Sequence, residues 1–188
     1  SLKIRKGTTL GIIGPTGSGK STLINLIPRI WDATSGNIYL DGNEIKTIPL
    51  EVLRKSIGIV PQESFLFSNT IGNNIAYSSD IADQIKIEEA SRSSGLQKDI
   101  ENFPKQYSTI LGERGITLSG GQKQRASLAR ALYMKPKILI LDDSMSAVDT
   151  KTEEEILQEL KILMKGRTSI IITHRISTVM AANNIIVL

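Results

Sequence analysis

The chain has 188 residues, 40% of them hydrophobic and 22% charged, with no cysteine and a formal charge of +4. That length and balance suit one globular domain with a sizeable core and exclude a disordered chain, a disulfide framework and thiol-based metal or redox chemistry. The mild basic tilt fits an anionic small molecule and is too small to argue for nucleic acid, while no apolar run approaches the ~20 residues of a membrane span and no signal peptide is visible, so the chain is expected to be soluble.

The first predicted element is a strand at "TLGII", 9–13. It lacks polar alternation, as a strand does when both faces of a parallel sheet are covered by helices. Directly after it comes "GPTGSGKST", which fits G-x-x-x-x-G-K-[ST] at Gly14, Gly19, Lys20 and Ser21 and opens a helix predicted over 20–30. In such a loop the glycines let successive backbone N–H groups point inward at phosphate oxygens. Lys20 supplies a point charge for the outer phosphates, and the Ser21 hydroxyl can ligate Mg²⁺. Pro15, Thr16, Gly17, Ser18 and Thr22 complete the predicted phosphate-binding loop. A flexible Gly-Ser linker would also match the bare pattern, but it would not sit between a strand and a helix.

A second strand is predicted at "IGIV", 57–60, followed by Pro61 and Gln62. Residues 64–134 are then polar, helix-rich and poor in strand signals. They read as a helical subdomain inserted between core segments 1–63 and 135–188. Within it, "LSGGQKQR" at 118–125 opens another helix, with Ser119 as N-cap and Ala126, Ala129 and Leu132 as its apolar stripe. From Arg114 to Lys137 there are six basic residues and no acids. A capped helix with a solvated basic face explains this on physical grounds alone. If the turn does bind phosphate, one small domain could hardly bring both glycine turns to one nucleotide, and the second would serve a nucleotide held by another molecule.

The strand "ILIL", 138–141, runs into Asp142 and Asp143. Two adjacent carboxylates at the end of a buried strand repel unless a cation lies between them and a reactant. Alone, Asp142 could equally cap a turn; beside a phosphate loop it reads as a magnesium-holding acid. A helix is predicted over 152–165, with Thr152 and Glu155 as a capping box, Ile156, Leu160 and Leu163 as its stripe and Gly166 at its stop. Strands follow at "SIII", 169–172, and "IIVL", 185–188, with His174, the single histidine, just past the first of them. The alternation makes an α/β doubly wound fold, in which ligands bind outside the carboxyl ends of the strands. Gln62, Asp142, Asp143, His174 and the phosphate loop all fall at such ends. The short lead-in before 9–13 and the strand at the last residues read as the cut ends of a larger protein.

The motifs "GPTGSGKST", "VPQESFLF", "LSGGQKQR", "ILILDD", "SAVD" and "ITHR" occur in the order of an ABC transporter ATPase domain, and the chain resembles that family over nearly its whole length. "LGERG" at 111–115 and "NTIGNNI" after Phe67 are similar to segments of ABC exporters. The resemblance implies a RecA-like phosphate-loop NTPase core, ATP and Mg²⁺ as ligands, and a head-to-tail dimer with ATP between one chain's loop and the other's signature. It implies that Ser119, Gly120, Gly121 and Gln122 serve the opposite nucleotide, and that Asp149 lies at the dimer seam. Ser21, Gln62 and Asp142 would serve Mg²⁺; Lys20, Gln62, Asp143 and His174 would be the catalytic set. Phe65 and Phe67 would lie near the surface that couples to transmembrane domains, or equally pack in the subdomain core. The location implied is the cytoplasmic face of the cell membrane, with transmembrane domains of the same transporter and a second ATPase domain as partners and no nucleic acid.

Two departures matter. The family carries an adenine-stacking aromatic upstream of the loop, and residues 1–19 hold none, so weaker ATP binding by this chain is expected. The family also usually has Glu where Asp143 stands. One methylene less pulls the carboxylate back by ~1 Å, and a misplacement of that size costs about 100-fold in rate. A slow own site with an intact signature resembles one half of a heterodimeric exporter, which is favoured over a homodimer in which backbone adjustment lets Asp143 work. A chromosome-maintenance or DNA-repair ATPase would need a long coiled coil between loop and signature; only about a hundred residues intervene, with no sustained heptads. A soluble translation-associated ATPase disagrees with "LGERG".

Overall fold

The aliphatic runs become five parallel strands in the computed structural model, which describes residues 1–112, 118–143, 160–174, 176–180 and 182–188. In chain order the elements are β1 (Thr9–Ile13), α1 (Lys20–Leu26), the short hairpin β2 (Tyr39–Leu40) and β3 (Asn43–Glu44), α2 (Leu50–Lys55) and β4 (Ile57–Val60). The helices α3 (Ile71–Ile75), α4 (Gln84–Ser93), α5 (Gln97–Ile100) and α6 (Gly120–Tyr133) follow, then β5 (Ile138–Asp142), β6 (Thr168–Ile172) and β7 (Asn184–Val187). Residues 160–164 are helical, within the helix predicted over 152–165; its capping box lies outside the described residues.

The sheet order is β4-β5-β6-β1-β7. Side chains of β5 alternate between two cores: Leu139 and Leu141 join the cluster of Leu66, Ile71, Leu128 and Leu132, whereas Ile138 and Ile140 join that of Leu10, Ile12 and Ile24. This period-two division of an unbroken aliphatic run is the signature of a strand covered on both faces. Among the described residues, 64–134 contribute helices and one isolated bridge, Thr70 to Ile110, and α6 packs on the face that buries Leu139 and Leu141.

Two sequence expectations need correction. The helix predicted over 20–30 ends at Leu26, because Pro28 has no N–H to continue the ladder and Arg29 turns to φ 52°. The strand predicted at 185–188 is not covered on both faces: Ile185 and Val187 are exposed, whereas Ile186 between them packs on the cluster of Leu10, Ile12 and Ile24, so among the described residues one face of β7 is covered. The phosphate loop nonetheless leaves β1 from an interior position, flanked by β6 and β7.

Candidate functional site

Because β4, β5, β6 and β1 are adjacent and parallel, their carboxyl ends form one rim. Gln62 follows β4, Asp142 and Asp143 end β5, His174 follows β6, and residues 14–22 follow β1. Topology alone gathers residues separated by more than a hundred positions.

The loop is shaped by Gly17 at φ 84° and Gly19 at φ 92°, a region that side chains enter at a cost. An added Cβ at either would meet no atom within 4 Å, so their open side is solvent, room enough for a ligand. Lys20 is 7% exposed. Its ammonium donates to the carbonyls of Gly14 at 2.9 Å and Pro15 at 2.8 Å, and among the described residues no carboxylate forms an ion pair with it. A buried cation bonded to two carbonyls and in no ion pair favours an incoming anion. The Ser18 hydroxyl is buried in the same loop without a partner.

The Ser21 hydroxyl faces Asp142 Oδ1 at 3.4 Å, long for an O–H···O bond. A hydroxyl and a carboxylate with spare lone pairs are the hard oxygen donors that magnesium takes. The orphaned Ser18 hydroxyl, the carboxylate-free Lys20 and this oxygen pair therefore fit a magnesium-bound polyphosphate. Burial pushes the Asp142 carboxyl above the usual carboxylate range, and the charge of Asp143 adds to the rise, against the Ser21 hydrogen bond and Lys20. A raised value means that stability lent by this group is held at low pH and lost as pH rises through the folded value. Asp142→Asn, neutral throughout, is therefore expected to melt higher than the native chain at pH 7 without metal, the gap closing as pH falls into the carboxylate range. Thermal melts across a pH series measure this; a lower melting temperature for the variant at pH 7 would contradict it.

Asp143 stands at φ 38°, with its N–H donating to Ile172 O at 2.9 Å. Its side chain is 11% exposed and lines a small cavity with Leu141, Leu160, Ile171 and Thr178. Asp143 Oδ2 lies 3.8 Å from His174 Nε2, too far for a hydrogen bond, so these two catalytic candidates are neighbours at the rim. Gln62 is exposed at the same rim. Asp149 lies outside the described residues.

The second glycine turn is built as predicted at its cap and extends beyond it. Ser119 Oγ accepts from Gln122 N–H, and Gln122 Oε1 accepts from Ser119 N–H, a reciprocal capping box. The aromatic pair divides differently from the core alternative. Leu66, between them, is fully buried, whereas Phe65 is 50% exposed. Phe67 stacks on Tyr77 at 4.4 Å between centroids, and the Arg130 guanidinium lies 5.5 Å from its ring. Sequence reading missed this cluster and its anchor. Buried Asn74 holds the Phe67 backbone at both N–H and C=O, and Arg130 of α6 donates to Asn74 Oδ1 at 2.7 Å. An Asn and an Arg 56 residues apart give no local signal.

The ABC transporter family profile matches residues 1–146. The chain is 47% identical over its full length to an ATP-dependent lipid A-core flippase of Syntrophus aciditrophicus, covering 31% of that protein. It is 45% identical over its full length to ABC transporter B family member 24, mitochondrial, of Arabidopsis thaliana, covering 28% of it. A solved structure of a bacterial Atm1-family ABC exporter with ATP bound is similar at a TM-score of 0.90 and 43% identity, over 97% of this chain and 32% of that one. The chain thus spans about a third of the length of each of these three proteins. With a glycine loop after β1 and an acid pair after β5 on this sheet, a capped glycine turn opening α6, and these matches, the chain belongs to the ABC transporter family, as an ATP-binding domain.

Proposed function

We propose that this domain binds and hydrolyses ATP as the motor of an exporter, at the cytoplasmic face of the membrane, by closing on a second ABC ATPase domain with nucleotide between them. The observation that carries the reading is the carboxylate-free, buried Lys20 inside an open loop whose neighbouring oxygen pair, Ser21 and Asp142, suits a divalent cation. Among the described residues no helix is long and apolar enough to cross a membrane, so the transport path is assigned to transmembrane domains of the same transporter. We assign 1–63 and 135–188 to the catalytic core and 64–134 to the helical subdomain.

In this reading Lys20 and the loop amides hold the outer phosphates. Ser21, Gln62 and Asp142 serve magnesium, directly or through water, and bound magnesium neutralises charge on the phosphate oxygens. Water attacks the γ-phosphorus in line, the bond to the bridging oxygen of ADP breaks, and inorganic phosphate leaves. His174 steadies the γ-phosphate region, and Asp143 orients the water from a carboxylate set back by one methylene. Ser119, Gly120, Gly121 and Gln122 face the partner's nucleotide, with Asp149 at the seam.

A second reading makes the domain a nucleotide-gated module, slow at its own site, whose signature completes a partner's site in a heterodimer. Asp143 in the place of the family's usual Glu favours it, because the shorter side chain sets the carboxylate back from the water it would orient. Phosphate release by the full assembly, native against Asp143→Glu, separates the two: a large rise supports the slow site, and an unchanged rate favours an Asp143 that works as it stands.

A further inference from the structure

We propose that Asp99 is the positioning residue of the signature turn. The inference rests on the reading that this turn serves a partner's nucleotide, and it assigns what holds the turn in shape. Gly120 and Gly121 carry no side chains, so nothing of their own can fix the backbone they present. Glycine also loses the most freedom on ordering, which makes an unbraced pair costly to hold still.

The brace comes from α5. Leu96 and Ile100, on either side of Asp99, are 0% and 1% exposed, so the segment that carries the carboxylate is anchored in the subdomain core. Asp99 uses both oxygens. Oδ1 accepts from Gln122 Nε2 at 3.1 Å, Oδ2 accepts from Arg125 Nε at 2.8 Å, and Arg125 Nη2 lies 2.8 Å from the same Oδ2 as an ion pair. The Arg125 and Asp99 side chains are only 14% and 17% exposed, so water screens the pair little. The Gln122 side chain passes the restraint on: its Oε1 accepts from Ser119 N–H at 3.0 Å. A continuous chain of bonds therefore runs from the buried α5 through Asp99 and Gln122 to Ser119, spanning the two glycines.

Two consequences follow. The Gln122 side chain is engaged at both its carbonyl and its amide within its own chain, so that besides facing the partner's nucleotide it shapes the turn. Asp99 also neutralises Arg125, fixing its guanidinium away from the rim of the turn. A turn held ready in advance costs less to order when the partner closes.

The test uses the full-length protein assembled with its partner domain. Asp99→Asn keeps a polar group facing Gln122 and removes the charge facing Arg125. The variant should raise the KM for ATP hydrolysis at the site this signature serves by about tenfold, the loss expected when a charge-assisted bond that orders a binding turn is removed. Affinity of the chain's own phosphate loop for a fluorescent ATP analogue should stay within about twofold, because that site shares no partner with Asp99. Asp99→Glu, which restores the charge, should recover most of the KM. An unchanged KM in Asp99→Asn overturns the proposal, as does equal loss in KM and own-loop affinity that Asp99→Glu fails to rescue, the mark of a merely structural role. Ser119→Arg, run alongside, tells the two levels apart. If it leaves the KM unchanged, the sandwich reading falls and the role of Asp99 falls with it; if it raises the KM while Asp99→Asn does not, the positioning role alone falls.

Discussion

Lys20→Ala lowers ATP affinity at this chain's phosphate loop by about a hundredfold or more, the range expected when one member of a buried charge pair is truncated. Lys20 carries the loop's charge, is almost wholly buried, and satisfies the Gly14 and Pro15 carbonyls while it waits. Alanine removes the charge and leaves those carbonyls to the open side of the loop, where water reaches them. Stability should therefore change by only about 1 kcal/mol, so that the binding loss is not read as unfolding. Fluorescence titration with an ATP analogue, paired with a thermal melt, measures both. Unchanged affinity would contradict the assignment of residues 14–22 as the phosphate cradle.

Asp143→Glu acts in the opposite sense. The added methylene moves the carboxylate forward by ~1 Å, and phosphate release at this chain's own site should rise by about 100-fold. The same change should cost a little stability. Asp143 holds φ 38°, a region that Asp enters more readily than Glu, so the variant is expected to melt slightly lower while working faster. The opposed signs make the result hard to mistake for a general improvement in folding. Single-turnover phosphate release, with the partner's own site inactivated, reads the rate directly, and an unchanged rate would show that Asp143 already reaches the water.

The fold was legible where covalent sequence and tertiary environment agree. "TLGII", "IGIV" and "ILIL" are aliphatic without alternation because both faces are covered, and the runs alone located β1, β4 and β5. The run "IIVL" has the same composition, yet Ile185 and Val187 of β7 are exposed; composition does not report whether both faces of a strand are covered. The β2–β3 hairpin carried a local signal that went unused: Asp41 and Gly42 form its turn at φ 49° and 83°, the conformation that an Asp-Gly pair supplies.

The site divides along the same line. The glycine loop after β1 is contiguous, so its place was readable, and the gathering of Asp142, Asp143 and His174 at one rim was readable because each ends or closely follows a strand of one parallel sheet. Asp99 was not, because its role depends on Gln122 and Arg125, 23 and 26 residues away, and on packing that turns α5 toward α6. For Phe65 and Phe67 the residues left coupling surface and subdomain core equally open; Leu66 between them fills the core place, Phe65 is exposed, and the Arg130 guanidinium lies over the ring of Phe67.

The most direct measurement is a structure of the full-length assembly with a magnesium-loaded, slowly hydrolysed ATP analogue. The result expected is a triphosphate within residues 14–22, with metal at Ser21 and Asp142 and the partner domain's signature turn against its γ-phosphate. A triphosphate bound elsewhere, or held at 14–22 with the facing domain's signature turned away at saturating nucleotide, would contradict it.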